Sequence, residues 1–378
     1  MRTGTFIKQS GGYKAFIPKH LPPDPPLNLD SELQKLLSEA DRSVGRLDGI
    51  TRILPDPDLF VGMYVRQEAV LSSQIEGTQS TLEDVLEFEV NVKREHPRDV
   101  GEVINYVQAM NHGLLRLGEL PLSLRLIREI HAKLLEGVRG GDRQPGEFRR
   151  SQNWIGPEGC TLNQAVFVPP PPHEMKESLG QFENFLRMEE SLPILLICGL
   201  AHAQFETIHP FIDGNGRVGR LLITFLLCER KVLHKPLLYL SYYFKIHRNE
   251  YYECLMAVRT RGDWESWLKF FLRGIDEVSR QAVETARAIL ELRQQHQSLI
   301  QKNLGRSAAS GLEVLDYLYH HPLIKIQDAQ RVISKVYVTT NTLLLNLEKM
   351  GILREITGSK RNRIYEYSPY LRIFSKIR

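Results

Sequence analysis

Cysteine is scarce in this chain of 378 residues. Cys160, Cys198, Cys228 and Cys254 lie far apart, form no C-x-x-C pair, and three of them fall in apolar helical stretches. This excludes a disulfide framework and a clustered zinc site, and points to reduced thiols. Long apolar runs are also missing. The longest, such as PILLICGLA at 193–201, is too short to cross a bilayer, and the opening MRTGTFIKQSGGYKAF holds no apolar signal-peptide core. A cytoplasmic protein with no membrane partner is expected. Neither sign of charge dominates: the formal net charge is +4, too small to imply nucleic-acid binding by the whole chain. Strand signals are few, no internal repeat is present, and the four prolines at 169–172 are the only biased tract.

What remains is an ordinary globular composition, 42% hydrophobic and 25% charged, long enough for two or three domains. Helical periodicity dominates it. Leu33, Leu36, Leu37 and Val44 mark one amphipathic helix, and Phe60 to about Ile75, Val100 to Leu117 and Leu122 to Leu135 mark three more. From Gly140 to Pro172 the pattern breaks, and the β-prone run Ala165 to Val168 suggests a loop carrying a hairpin. Leu195 to Thr207 is apolar nearly all round, as in a helix buried at the centre of a bundle. Trp264 to about Lys302 turns polar and reads as a solvent-washed connector to a separable C-terminal module from Gly305. The spacing thus predicts a mainly α fold divided at 1–115, 116–304 and 305–378.

The densest chemistry lies in HPFIDGNGRVGR, His209 to Arg220. Gly214, Gly216 and Gly219 satisfy G-x-G-x-x-G, but a helix precedes them where a dinucleotide fold needs a strand, and no suitable carboxylate follows. The local physics is independent of that fold. A glycine turn opening a helix aims backbone N–H groups and the positive end of a helix dipole at one point, which is an anion site. Arg217 and Arg220, one turn apart, can reach further phosphates. Asp213 beside a phosphate calls for a divalent cation, most simply Mg²⁺. His209 is then the one proton acceptor in the set suited to neutral pH. Together these describe transfer from a nucleotide to a hydroxyl group.

These residues resemble the H-P-F-x-[DE]-G-N-G-R-x-x-R motif of Fic-domain proteins, mainly protein adenylyltransferases that move AMP from ATP to a Ser, Thr or Tyr hydroxyl. The resemblance implies a helical bundle with a small β-hairpin flap, ATP and Mg²⁺ as cofactors, and His209 as base. It implies Asp213 as metal ligand, Gly214, Asn215 and Gly216 as the phosphate hole, and Arg217 and Arg220 on the outer phosphates. Val218 and Gly219 complete the segment against the nucleotide, with Phe211 as a packing anchor. QNWIGPEGCTLNQAVFVPP, 152–170, resembles the flap that pairs with the target segment, bringing Val166 and Phe167 beside the nucleotide. Tyr251 and Tyr252 resemble the aromatics of an adenine pocket. Ser72 to Gly77, SSQIEG, matches the [ST]-x-x-x-E-[GN] inhibitory motif, in which Glu76 pairs with Arg220 and bars a productive pose of ATP.

The C-terminal segment from Gly305 carries 12 Lys and Arg against 6 Asp and Glu, so the rest of the chain is slightly acidic. Three helices followed by two β-prone runs resemble a winged helix-turn-helix, with Thr340, Asn341 and Lys349 on the recognition helix and Lys360, Arg361 and Arg363 at the wing. DNA binding through 305–378 is admitted but not favoured, because such modules also dock proteins. A self-inhibited adenylyltransferase is the expected function, acting on a target protein or on itself. AMP removal at the same site and a nucleotide-sensing DNA-binding regulator are the alternatives, and a homodimer is compatible with either.

Overall fold

Residues 2–53, 58–90, 97, 99–138, 143–157, 159–188, 192–359 and 361–375 are described by the structure, a computed structural model. In chain order they form β1 (Gly4–Lys8), β2 (Lys14–Pro18), α1 (Ser31–Ile53), α2 (Asp58–Ile75), α3 (Leu82–Glu89), α4 (Val100–Arg116), α5 (Leu124–Leu134) and α6 (Pro172–Arg187). There follow α7 (Ile194–Ile208), α8 (Asn215–Glu229), α9 (Leu240–Ile246), α10 (Arg248–Arg261) and α11 (Trp264–Asn303). The C-terminal part comprises α12 (Ala308–His320), β3 (Leu323–Lys325), α13 (Ile326–Ile333), α14 (Tyr337–Lys349), β4 (Arg354–Glu355), β5 (Ile364–Glu366) and α15 (Ser368–Ser375). The fold is mainly helical, with two small antiparallel sheets, β1-β2 and β3-β5-β4.

Helix α7 is the centre of the bundle. Every residue from Leu195 to Ile208 is buried, including the polar His202, Gln204, Glu206 and Thr207. It packs on α6, α8, α10 and α11, which explains why its sequence lacks a polar face. The β1-β2 hairpin was not legible as strands. Its register is in-line from Gly4 opposite Pro18 to Lys8 opposite Lys14, and Phe16 donates its N–H to the Val168 carbonyl at 2.9 Å. One hydrogen bond thereby ties the N-terminal hairpin to the predicted flap. The flap itself is slighter than a hairpin, with one antiparallel bridge, Ile155 to Phe167, and a short helical turn at Leu162–Gln164.

The long C-terminal connector differs from its expectation. Val278, Ala282, Ala286 and Ile289 of α11 recur on one face and are buried, and α1 lies along them. Within RQQHQSLIQKN, Gln294 and Gln295 are exposed, whereas Arg293 and His296 are half-buried, and Arg293 bonds Asp316 at 3.0 Å. Apolar contacts also cross position 305: Phe374 meets Tyr64 edge-on at 5.7 Å, α12 packs on α2 and α11, and His296 Nδ1 bonds the Tyr367 hydroxyl at 2.8 Å. Each buried side chain of that size contributes about 1.5–3 kcal/mol, against about 5–15 kcal/mol for a whole domain. Deleting residues from 305 onward is therefore expected to leave an insoluble or unfolded protein. Recovery of a soluble truncated chain with the melting temperature of the full one contradicts this.

On α14, Thr340 is fully buried and donates to the Val336 carbonyl at 3.1 Å, and Asn341 is half-buried, so neither forms the recognition surface expected of it. Lys349 and Arg361 are exposed, Arg363 donates to the Tyr365 hydroxyl at 3.4 Å, and Lys360 lies outside the described residues.

Candidate active site

The site is built on the loop between α7 and α8. His209 caps α7 at φ 50°, where the following Pro210 disfavours a further helical residue. Phe211 is fully buried, its ring stacked on His131 at 3.7 Å and flanked by Phe148. Asn215 folds back on it: Phe211 N–H donates to Oδ1 at 2.8 Å, and Nδ2 donates to the Phe211 carbonyl at 2.9 Å. Gly214, at φ 78°, makes the left-handed turn into α8 and donates to Asp213 Oδ1 at 2.6 Å. The first intrahelical bond runs from Val218 to the Gly214 carbonyl, so the N–H groups of residues 215–217 have no acceptor within the helix. They and the positive end of the dipole make the start of α8 a cradle suited to an anion.

Glu76, just past the end of α2, reaches this cradle. Its Oε1 lies 2.6 Å from Arg220 Nη2, and a Cβ on Gly216 would stand 2.2 Å from it. A glycine at 216 is what lets the carboxylate approach the first turn of α8. Arg220 is buried, and Ser72 holds it independently: Nε donates to Ser72 Oγ at 2.8 Å and Nη2 to the Ser72 carbonyl at 2.9 Å. Burial opposes its charge most strongly, but Glu76 together with Tyr251, Tyr252 and Glu206 outweighs that and pushes its pKa well above the usual range. The two motifs expected to meet are thus joined by one ion pair.

Several predicted contacts take other roles. Arg217 is buried and pairs with Glu102 on α4 at 2.9 Å, which offsets the cost of burying its charge. Val218 is a core side chain, and Gly219 is packed so tightly that a Cβ would meet Glu206 Oε1 at 2.5 Å. Tyr251 is also core: it stacks on Phe244 at 4.5 Å, and its hydroxyl bonds His202 Nε2 at 2.9 Å. Both tyrosines feel the charges of Glu76 and Arg220, but Tyr252 is 39% exposed whereas Tyr251 is buried. Phe167 is a buried anchor against Phe16, whereas Val166 is 60% exposed.

The electrostatics keep His209 unprotonated. Burial, then the charges of Arg259 and Arg149, lower the pKa of His209 to about 3, so the imidazole is neutral at any physiological pH. Its Nδ1 is buried without a well-aligned partner among the described residues, although the Glu206 carbonyl nearby favours its protonation. His131, absent from the sequence reading, is neutral too, held at about 4 by burial. It accepts from Gly146 N–H at Nδ1, 2.9 Å, and so donates from Nε2 to the Asp213 carbonyl at 3.0 Å, fixing the loop. Burial raises Glu206 to about 7, a second carboxyl beside Arg220 that no spacing pattern marked. Among the described residues no cluster of three metal-ligating side chains occurs. Mg²⁺ commonly takes one or two carboxylates and completes its shell with substrate phosphates and water. Asp213, 38% exposed and with Oδ1 alone tied to Gly214, fits that mode.

Residues 34–115 match the Fic/DOC family N-terminal profile and residues 121–227 the Fic/DOC family profile. The chain belongs to the Fic/DOC family. Among curated Fic relatives, "Protein adenylyltransferase Fic" of Drosophila grimshawi is 31% identical over 202 residues, 52% of this chain and 38% of that protein. "Probable protein adenylyltransferase aq_aa38" of Aquifex aeolicus is 29% identical over 181 residues, 46% of this chain and 51% of that protein. This Fic/DOC chain therefore spans about half, or less, of the length of these relatives. A Fic family protein from Desulfovibrio desulfuricans G20 shares its fold, with a TM-score of 0.60 at 19% identity over 90% of this chain and 97% of that one.

Proposed function

We propose that this chain transfers AMP from ATP to a hydroxyl group of a target protein, and that Glu76 holds the reaction in check. The observation that carries the reading is a neutral His209 set beside the open first turn of α8 and the buried Arg220. The phosphates of ATP bind the N–H groups of 215–217. With Glu76 withdrawn, Arg220 receives the γ-phosphate. The target oxygen attacks the α-phosphorus as its proton passes to His209, the bond to the bridging oxygen breaks, and pyrophosphate leaves. Asp213 would hold Mg²⁺, which when bound neutralises phosphate charge. The target segment lies along residues 165–168, where Val166 is exposed, and Tyr252 borders the base. The winged-helix likeness at 305–378 supports a docking role better than DNA binding, because Val336, which caps α14, and Tyr337 and Val338 in its first turn are exposed.

ATP labelled in parallel at the α- and γ-phosphates tests the reading. Label from the α-position alone is expected on protein, whereas γ-label on protein indicates a kinase and overturns it. Asp213→Ala is expected to abolish the Mg²⁺ dependence of ATP binding measured by titration calorimetry. A normal response to Mg²⁺ in that variant places the metal elsewhere.

A further inference from the structure

Two arginines near His209 have no carboxylate partner among the described ion pairs, yet both are buried: Arg149 is 0% exposed and Arg259 4%. Such cations are costly unless other groups satisfy them. Arg149 is surrounded by carbonyls. It donates from Nε to His209 at 2.9 Å, from Nη2 to Pro170 at 2.5 Å and Ile208 at 3.5 Å, and from Nη1 to Ser151 at 3.1 Å. Its backbone N–H also donates to Pro210 at 2.9 Å. Ser151 and Pro170 are the two feet of the flap, and Ile208 and His209 end α7. Arg259, on α10, approaches the same helix end from another side. Its Nη2 donates to the Glu206 carbonyl at 2.9 Å and its Nε to Thr207 Oγ1 at 3.3 Å, while its guanidinium covers the Phe167 ring at 4.3 Å.

The orphan carbonyls and negative dipole of a helix C-terminus attract cations, which accounts for both buried charges without a carboxylate. It does not account for the second attachment of each. One guanidinium ties the end of α7 to the feet of the flap, and the other ties it to the flap's buried anchor. We propose that Arg149 and Arg259 are positioning residues that register the flap on His209, and with it the hydroxyl of the target protein. They touch neither nucleotide nor target. Their fixed, planar forks hold two segments, about forty residues apart in sequence, in one geometry. Asn153 adds a third tie, from Nδ2 to the carbonyls of His209 at 3.3 Å and Phe211 at 2.8 Å.

The inference rests on the adenylylation proposed above, and its test separates the two. Arg149→Met and Arg259→Met are made in the Glu76→Gly chain, and three quantities are read: ATP affinity, pyrophosphate released, and α-label transferred to protein. The cradle on α8 is untouched, so ATP affinity is expected to hold. Misplacing the acceptor by an ångström costs on the order of a hundredfold, so label per pyrophosphate released is expected to fall roughly tenfold or more. Lys at either position keeps the charge and loses the fork; it is expected to restore the melting temperature but not the ratio. A ratio equal to that of the parent, whether total turnover is kept or lost, overturns the positioning role and leaves a structural one. Should a Met variant not fold, the Lys variant decides, and a parental ratio there is equally fatal. Absence of α-label from the Glu76→Gly parent refutes the adenylylation reading itself.

Discussion

Glu76→Gly is expected to raise α-label transfer to protein on the order of tenfold. Removing an active-site carboxylate ordinarily slows an enzyme, but here Glu76 occupies the cation that the γ-phosphate needs and sits over the first turn of α8. A hydrogen bond to a charged group contributes about 1.5–3 kcal/mol. Arg220 is deeply buried but Glu76 is 38% exposed, so solvent screening places the effect near the lower value, about a factor of ten. The gain depends on Arg220 staying in place, which its two bonds to Ser72 secure. Arg220→Ala removes both the brake and the clamp, so the variant lacking both side chains is expected to be no faster than Arg220→Ala alone. A rate that falls in Glu76→Gly, or one that is unchanged while release of AMP from modified protein disappears, assigns Glu76 to hydrolysis instead.

His209→Ala, made in the Glu76→Gly chain, is expected to lower transfer by about 10²- to 10⁴-fold, the usual contribution of a positioned base. ATP affinity is expected to change little, since the cradle consists of backbone N–H groups and Arg220. The wild-type imidazole, lowered to about 3, stays unprotonated throughout the neutral range. Transfer therefore shows no acid limb from this residue between pH 5 and 8. Label that persists in His209→Ala at the parental rate sinks the assignment.

The loop between α7 and α8 was legible because its residues are contiguous. Turn glycines, a carboxylate, an imidazole and two guanidinium groups fall within twelve residues. The pairing of Glu76 with Arg220 came from a motif resemblance and is present as an ion pair in the fold. Arg149, Arg259, His131 and Glu206 left no such trace. Each stands alone in sequence, and each acquires its role from carbonyls or rings that tertiary packing brings to it. Arg217 and Tyr251 have partners that their spacing did not reveal: Glu102 and His202, distant in sequence, bind them in this structure. The β1-β2 hairpin was missed because its strands are five residues each, and what stabilises them is the Val168 edge.

On the proposed reading of Glu76, the burial of α2 limits how the brake can be released. Phe60, Met63, Tyr64, Val65, Val70, Leu71 and Ile75 are all within the core, and the helix contacts α4, α8, α9 and α12. Withdrawing it would expose side chains worth about 1.5–3 kcal/mol each, a total that rivals the stability of a domain. The helix is thus a fixed wall, not a swinging door. Only its exposed tip is free to act as a latch: a rotation of Glu76, or fraying of the turn through Gly77, opens the cradle while the wall stands. On that reading, an activating signal has to act within one helical turn, and the energy it must supply is that of a single side chain.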